Sequence, residues 1–209
     1  MKNAKDFVIE NGHLKEYIGN DTCVIIPDNV IEIDTVAFKN CENLVSVSIP
    51  EGITKINRGA FYNCCNLTTI SFPLSIEEIG SPLVFFCPEL STFILPEGIE
   101  EFKGSVLEQL WNTVDDKYNK RSLVYSLLKQ YPKMVGEVGK LKRRAQSNIQ
   151  TFVKRALEED DSDLFCGLII YAGTLSAEEF EDYLERRKKV STLEQTMHYY
   201  EIYKARYGI

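Results

Sequence analysis

The stretch AFKNCENLVSVSIPEGITKINRGAFYNCCNLTTISFP, Ala37–Pro73, carries one device twice. Ala37-Phe38 leads to Cys41, Asn43-Leu44, an alternating run and Ile49-Pro50; Ala60-Phe61 leads to Cys64, Asn66-Leu67, a second alternating run and Phe72-Pro73. The device extends in both directions. Pro27, Pro50, Pro73 and Pro96 lie 23 residues apart, and apolar residues recur at fixed offsets from them. The columns are Val30, Ile53, Ile76 and Ile99; Ile33, Ile56, Ile79 and Phe102; Phe38, Phe61 and Val84; Leu44, Leu67 and Leu90; Val47, Ile70 and Phe93; and Ile49, Phe72 and Leu95. A gapless period in the range of about 20–29 residues marks a solenoid with one strand per coil. "SVSIP", "TISFP" and "TFILP" alternate apolar and polar residues, so each reads as a short strand with one face inward. Proline then ends the strand, because it has no N–H for the ladder. A single coil has too few apolar side chains to offset the ordering of its backbone, so the coils must stack.

The pattern IP(D/E)xVxxIxxxAFxxCxNLxxVxIP resembles the BspA-type leucine-rich repeat of bacterial proteins. The resemblance covers roughly Phe7 to Phe102. It departs in the third coil, IGSPLVFFCPEL, where Leu83-Val84 replaces Ala-Phe and where Pro82 and Pro88 predict a different turn. The leading segment DFVIENGHLKEYIG is similar to the opening of such proteins. Its Asn11-Gly12 is a two-residue hairpin signal, read as a cap over the first coil.

After residue 104 the period changes to three and four residues, the spacing of helices. SVLEQLWNTVDDKY and KRSLVYSLLKQY read as helices, and Pro132 breaks the chain after the second. SAEEFEDYLERRKKV and STLEQTMHYYEIYKARYG open on capping boxes, Ser176 with Glu179 and Ser191 with Glu194. The segment from Phe152 to Val190 is similar to degenerate ankyrin-like helical hairpins without their Thr-Pro-Leu-His signature; a compact bundle is the other possibility. The expected fold class is therefore α+β: a short right-handed leucine-rich repeat solenoid of parallel strands, residues 1–104, followed by an all-helical domain, residues 105–209. Leu107, Leu110 and Trp111 are the candidates for closing the open end of the solenoid.

Cys41, Cys64 and Cys87 share one column. Stacked coils would bring neighbouring Cα atoms to about 5 Å, a separation that a disulfide accepts. A reducing compartment argues for thiols packed in the wall. A metal site needs a tetrahedral set, and Cys65, adjacent to Cys64, should point the other way.

The chain has 209 residues, a net charge of −7 and 44 % hydrophobic residues. That charge argues against a general nucleic-acid binder. No apolar run reaches the roughly 18 residues of a membrane span, so no membrane insertion is expected. There is no phosphate-binding GxxxxGK[ST], no HExxH and no CxxC pair. His13 and His198 are the only histidines, and Glu77-Glu78 and Glu100-Glu101 read as solvated pairs. Lys140–Arg144 reads as a solvated basic helix end, and Glu158–Asp163 as a charged turn without the spacing of a calcium loop. No catalytic residue, cofactor or metal is therefore expected. The outward-facing strand residues Ser46, Ser48, Thr69, Ser71, Thr92 and Ile94 are the expected partner-binding surface. The leading expectation is a non-enzymatic bacterial protein–protein interaction module that uses this sheet and the helical hairpins. With no apolar leader at Met1, a cytoplasmic location is expected. The resemblance implies one alternative, a cell-surface adhesin exported by an upstream leader. The other is an enzyme whose site, in the helical half, would use His198.

Overall fold

In the computed structural model the described residues are 4–96, 109–112, 114, 117–130, 139–148, 151–152, 155 and 201. The chain divides into two compact units, Met1–Leu123 and Val124–Ile209.

The first unit opens with a 3₁₀ turn, Ala4–Asp6, and an antiparallel hairpin of β1, Phe7–Glu10, and β2, His13–Tyr17. Asn11 and Gly12 both take positive φ, 51° and 82°, as a two-residue turn between right-twisted strands requires. The chain then winds as a solenoid whose coils repeat three short segments. One series is β3 (Cys23–Ile25), β5 (Ser46–Ser48), β8 (Thr69–Ser71) and β11 (Thr92–Ile94). It forms a parallel sheet in which Val24, Val47, Ile70 and Phe93 stand in one row. A second series is β4 (Glu32–Ile33), β6 (Lys55–Ile56) and β9 (Glu78–Ile79), parallel to one another and to β2. The third is β7 (Phe61–Tyr62) and β10 (Val84–Phe85), also parallel.

Every expected inward column that is described is buried, apart from the cysteine column, where Cys64 and Cys87 are buried and Cys41 is partly exposed. Ile99 and Phe102 lie outside the described residues. An aromatic row runs through the core from Phe7 to Tyr17, Phe38 and Phe61, with successive ring centroids 5.1, 5.3 and 5.1 Å apart. Rings at these separations add about 0.5–1.5 kcal/mol per pair beyond their buried area. The third coil keeps register, with Val84 paired to Phe61, and its Ser81–Pro82 peptide is cis.

The cysteine column is wall with a purpose. The Cys64 thiol donates to the Phe38 carbonyl and the Cys87 thiol to the Phe61 carbonyl, both at 3.0 Å. Each thus meets a backbone acceptor of the coil before it, inside the core. Hydrogen bonding to the Cys41 and Cys87 thiols, reinforced by burial, raises the Cys64 pKa and keeps its proton in place.

The edge of β9 is covered in a way the periodicity does not show. Residues 109–112 are helical. The Gln109 Oε1 accepts the Ile79 N–H at 2.7 Å, and its Nε2 donates to the Glu77 carbonyl at 3.4 Å. A side-chain amide thereby stands in for the next strand along the edge of β9. Leu110 and Val114 are buried, Trp111 is half-buried, and Val114 bridges to Val84. Leu107, the remaining closing candidate, lies outside the described residues.

Among the described residues two longer helices come after the repeat strands, α1, Lys117–Gln130, and α2, Gly139–Ser147. In the second unit Tyr125 lies against Phe152, with ring centroids 5.6 Å apart, and beneath the Arg155 guanidinium at 3.9 Å. The basic run Lys140–Arg144 falls on α2. The ankyrin-like hairpins and the acidic turn Glu158–Asp163 lie outside the described residues. No helix among the described residues is long and apolar enough to cross a membrane.

Candidate functional site

Parallel pairing without slippage aligns the outward residues of the four-stranded sheet as strictly as the inward ones. One row is Cys23, Ser46, Thr69 and Thr92; the other is Ile25, Ser48, Ser71 and Ile94. All six expected partner-binding residues therefore lie together, with Cys23 and Ile25 added at one end. At a strand spacing of about 4.8 Å the rows run roughly 14 Å. The serines and threonines are half-exposed, while Ile25 and Ile94 are 53 % and 44 % exposed and leave an apolar side chain in solvent at each end. Five hydroxyls, each able to donate and accept, form the middle of the platform. None of the eight side chains is charged at neutral pH except as Cys23 ionises. Hydrogen bonds to Ser46 and Thr22 favour its thiolate and lower its pKa below the ordinary 9.0.

The platform spans only about 100 Å², against the roughly 800 Å² each partner contributes to a stable interface. A partner held here must also reach the surrounding turns. A separate surface, on β7 and β10, is aromatic. Tyr62 and Phe85 stack at 5.9 Å, and Phe86 packs edge-on to both, 4.4 Å from Phe85 and 5.8 Å from Tyr62. Phe86 is 60 % exposed and has φ 57°. The matching positions of the two earlier coils, Asn40 and Asn63, have φ 61° and 57° and carry the residue type that tolerates this conformation. A phenylalanine in that column exposes a ring at a backbone cost. The sequence reading missed it, although comparing the column Asn40, Asn63, Phe86 shows the exchange directly.

A second missed cluster lies on the outer face of the other long sheet. His13 Nδ1 is 3.2 Å from Asp34 Oδ1 and 3.7 Å from Glu32 Oε2, and Lys15 Nζ is 2.6 Å from Asp34 Oδ2. Burial works to raise the Asp34 pKa, but hydrogen bonds from Lys15 and His13 outweigh it and hold the carboxyl below its ordinary value. The alignment of His13 with Glu32 follows from the pairing of β2 with β4, which joins the hairpin to the first coil outside the repeat period. His198, the other histidine, lies outside the described residues.

Comparison with known proteins bears on the repeats. Residues 15–118 match the BspA type leucine rich repeat region in six copies, beyond the Phe102 limit read from the periodicity. A search of curated proteins finds no match. Among solved structures, a leucine-rich repeat protein from Eubacterium ventriosum is 30 % identical over 46 % of this chain and 28 % of its own, with a TM-score of 0.39. The pneumococcal vaccine antigen PcpA is 19 % identical over 44 % of this chain and 29 % of its own, with a TM-score of 0.35. A leucine rich cell surface protein from Faecalibacterium prausnitzii is 21 % identical over 46 % of this chain and 40 % of its own, with a TM-score of 0.27. This chain thus spans less than a third of the length of the first two.

Proposed function

Because residues 15–118 belong to the BspA type leucine-rich repeat family, we propose that this protein is a binding module that holds another protein on its repeat sheet by shape and hydrogen bonding, without chemistry of its own. The observation that carries the proposal is the platform of Ser46, Ser48, Thr69, Ser71, Thr92 and Ile94, set in register by the strands. It offers hydroxyl donors and acceptors on rigid backbone between two exposed isoleucines. Such a surface suits an uncharged, extended partner segment and gives a polyanion nothing to pair with.

Solenoids bind along their regular faces because each coil adds an equivalent strip of surface. The small footprint favours a modest affinity per copy, with neighbouring turns extending the contact. BspA-type repeats recur in surface proteins, so a cell-surface adhesin is the second reading, and a cytoplasmic location draws no support from the fold. The helical half remains a proposed second contact surface.

The decisive experiment replaces Ser48 and Ser71 together by arginine. Their side chains point outward, so the solenoid should keep its circular dichroism spectrum and melting temperature. A partner captured by the wild type and identified by mass spectrometry should be lost from the double variant. A Lys55→Glu variant on the other sheet should keep it. Equal capture by wild type and the double variant would rule out the platform as the binding surface.

A further inference from the structure

We propose that His13 Nδ1, Glu32 Oε2 and Asp34 Oδ1 form a three-ligand site for a divalent transition-metal ion, for which zinc is the natural probe. One ligand atom from each of the three residues lies within 4.8 Å of the others; His13 stands on β2, Glu32 on the paired β4, and Asp34 just past the end of β4. Donors about 2.1 Å from zinc stand about 3.4 Å apart in a tetrahedron and about 3.0 Å apart in an octahedron. The observed separations from the imidazole nitrogen, 3.2 and 3.7 Å, bracket the tetrahedral edge. One nitrogen and two carboxylate oxygens form a borderline donor set, suited to first-row ions and leaving positions open for water or a partner's ligand.

The surroundings aim the oxygens. Asn57 Nδ2 donates to Glu32 Oε1 at 2.6 Å, leaving Oε2 turned to His13. Lys15 holds Asp34 Oδ2 at 2.6 Å, leaving Oδ1 turned the same way. Outer donors that fix one oxygen of each carboxylate play the orienting part usual around metal ligands. Two carboxylates against one ammonium leave net negative charge at the position an ion would take. The site occurs where the hairpin meets the first coil. One period on, Lys55 stands in the place of Glu32 and Asn57 in that of Asp34, and Lys55 instead pairs with Glu78 at 3.1 Å.

The test is calorimetric titration of the full chain with zinc chloride, beside His13→Ala and Lys15→Met. The chain also holds thiols and a second histidine, so the readout is the difference between variants. The wild type should show a micromolar site that His13→Ala weakens at least tenfold. Lys15→Met should also weaken it, by roughly tenfold, because it removes the donor that holds Asp34 Oδ2 and turns Oδ1 toward the ion. Cobalt bound in place of zinc should show d–d bands that His13→Ala diminishes. Zinc binding unchanged in both variants, cobalt d–d bands unchanged by His13→Ala, or no binding at millimolar zinc would each overturn the proposal. If His13→Ala misfolds on its circular dichroism spectrum, the Lys15→Met arm decides alone.

Discussion

Replacing Gly80 by alanine tests whether the rungs are as close as the structure places them. Gly80 follows β9, in the column of Asp34 and Asn57, and its N–H donates to the Ile56 carbonyl at 2.7 Å. Its backbone needs no special φ. A Cβ there would collide with the backbone nitrogen of Arg58 and lie 2.8 Å from the Asn57 carbonyl carbon and 3.0 Å from the Arg58 Cα. All three are main-chain atoms of the preceding coil, so no side chain can swing aside. Over-packing of this kind costs about 1–3 kcal/mol, and losing the rung hydrogen bond costs about 1 more. Restricting the unfolded chain returns about 0.4–1. The net expectation is a loss of about 1–3.6 kcal/mol, centred near 2. Gly52 supplies the control: it has φ 98°, and nothing lies within 4 Å of the place its methyl would take, so alanine there meets strain without a clash. Its expected cost is about 1 kcal/mol. Urea unfolding followed by circular dichroism measures both, and Gly80→Ala should also lower the melting temperature by roughly 8 °C. A Gly80→Ala loss under about 0.5 kcal/mol, the usual bound for a substitution that disturbs nothing, or one smaller than that of Gly52→Ala, would refute the close-rung geometry.

Three further outcomes are expected. In native protein an alkylating reagent should modify Cys23 before the other described cysteines and leave Cys64 and Cys87 protected until the chain unfolds; the Cys23 rate should reach half its maximum below the pH of an ordinary thiol, and Ser46→Ala should move that midpoint upward. Cys64→Ala removes the buried donor to the Phe38 carbonyl and leaves a small void, and should cost about 1–2 kcal/mol in the same unfolding assay. Gln109→Leu keeps the size of the side chain but leaves the Ile79 N–H and the Glu77 carbonyl without their amide partner. It should cost about 1 kcal/mol and speed amide exchange at Ile79, and unchanged exchange would dismiss the edge-cap role.

The stacking of the coils, the inward columns and the outward rows of Ser46, Ser48, Thr69 and Ser71 were legible in the sequence, because each follows from a constant interval and a two-residue strand alternation. A parallel rung repeats its neighbour, so period alone sets which side chains share a row. Three features needed the folded chain, since each depends on a contact outside the period. His13 meets Glu32 and Asp34 because an antiparallel hairpin docks beside the first coil. Gln109 seals β9 because a helix turns its amide onto the last described rung of that sheet. Gly80 is required because its backbone passes close to Arg58, a distance that no residue pattern encodes.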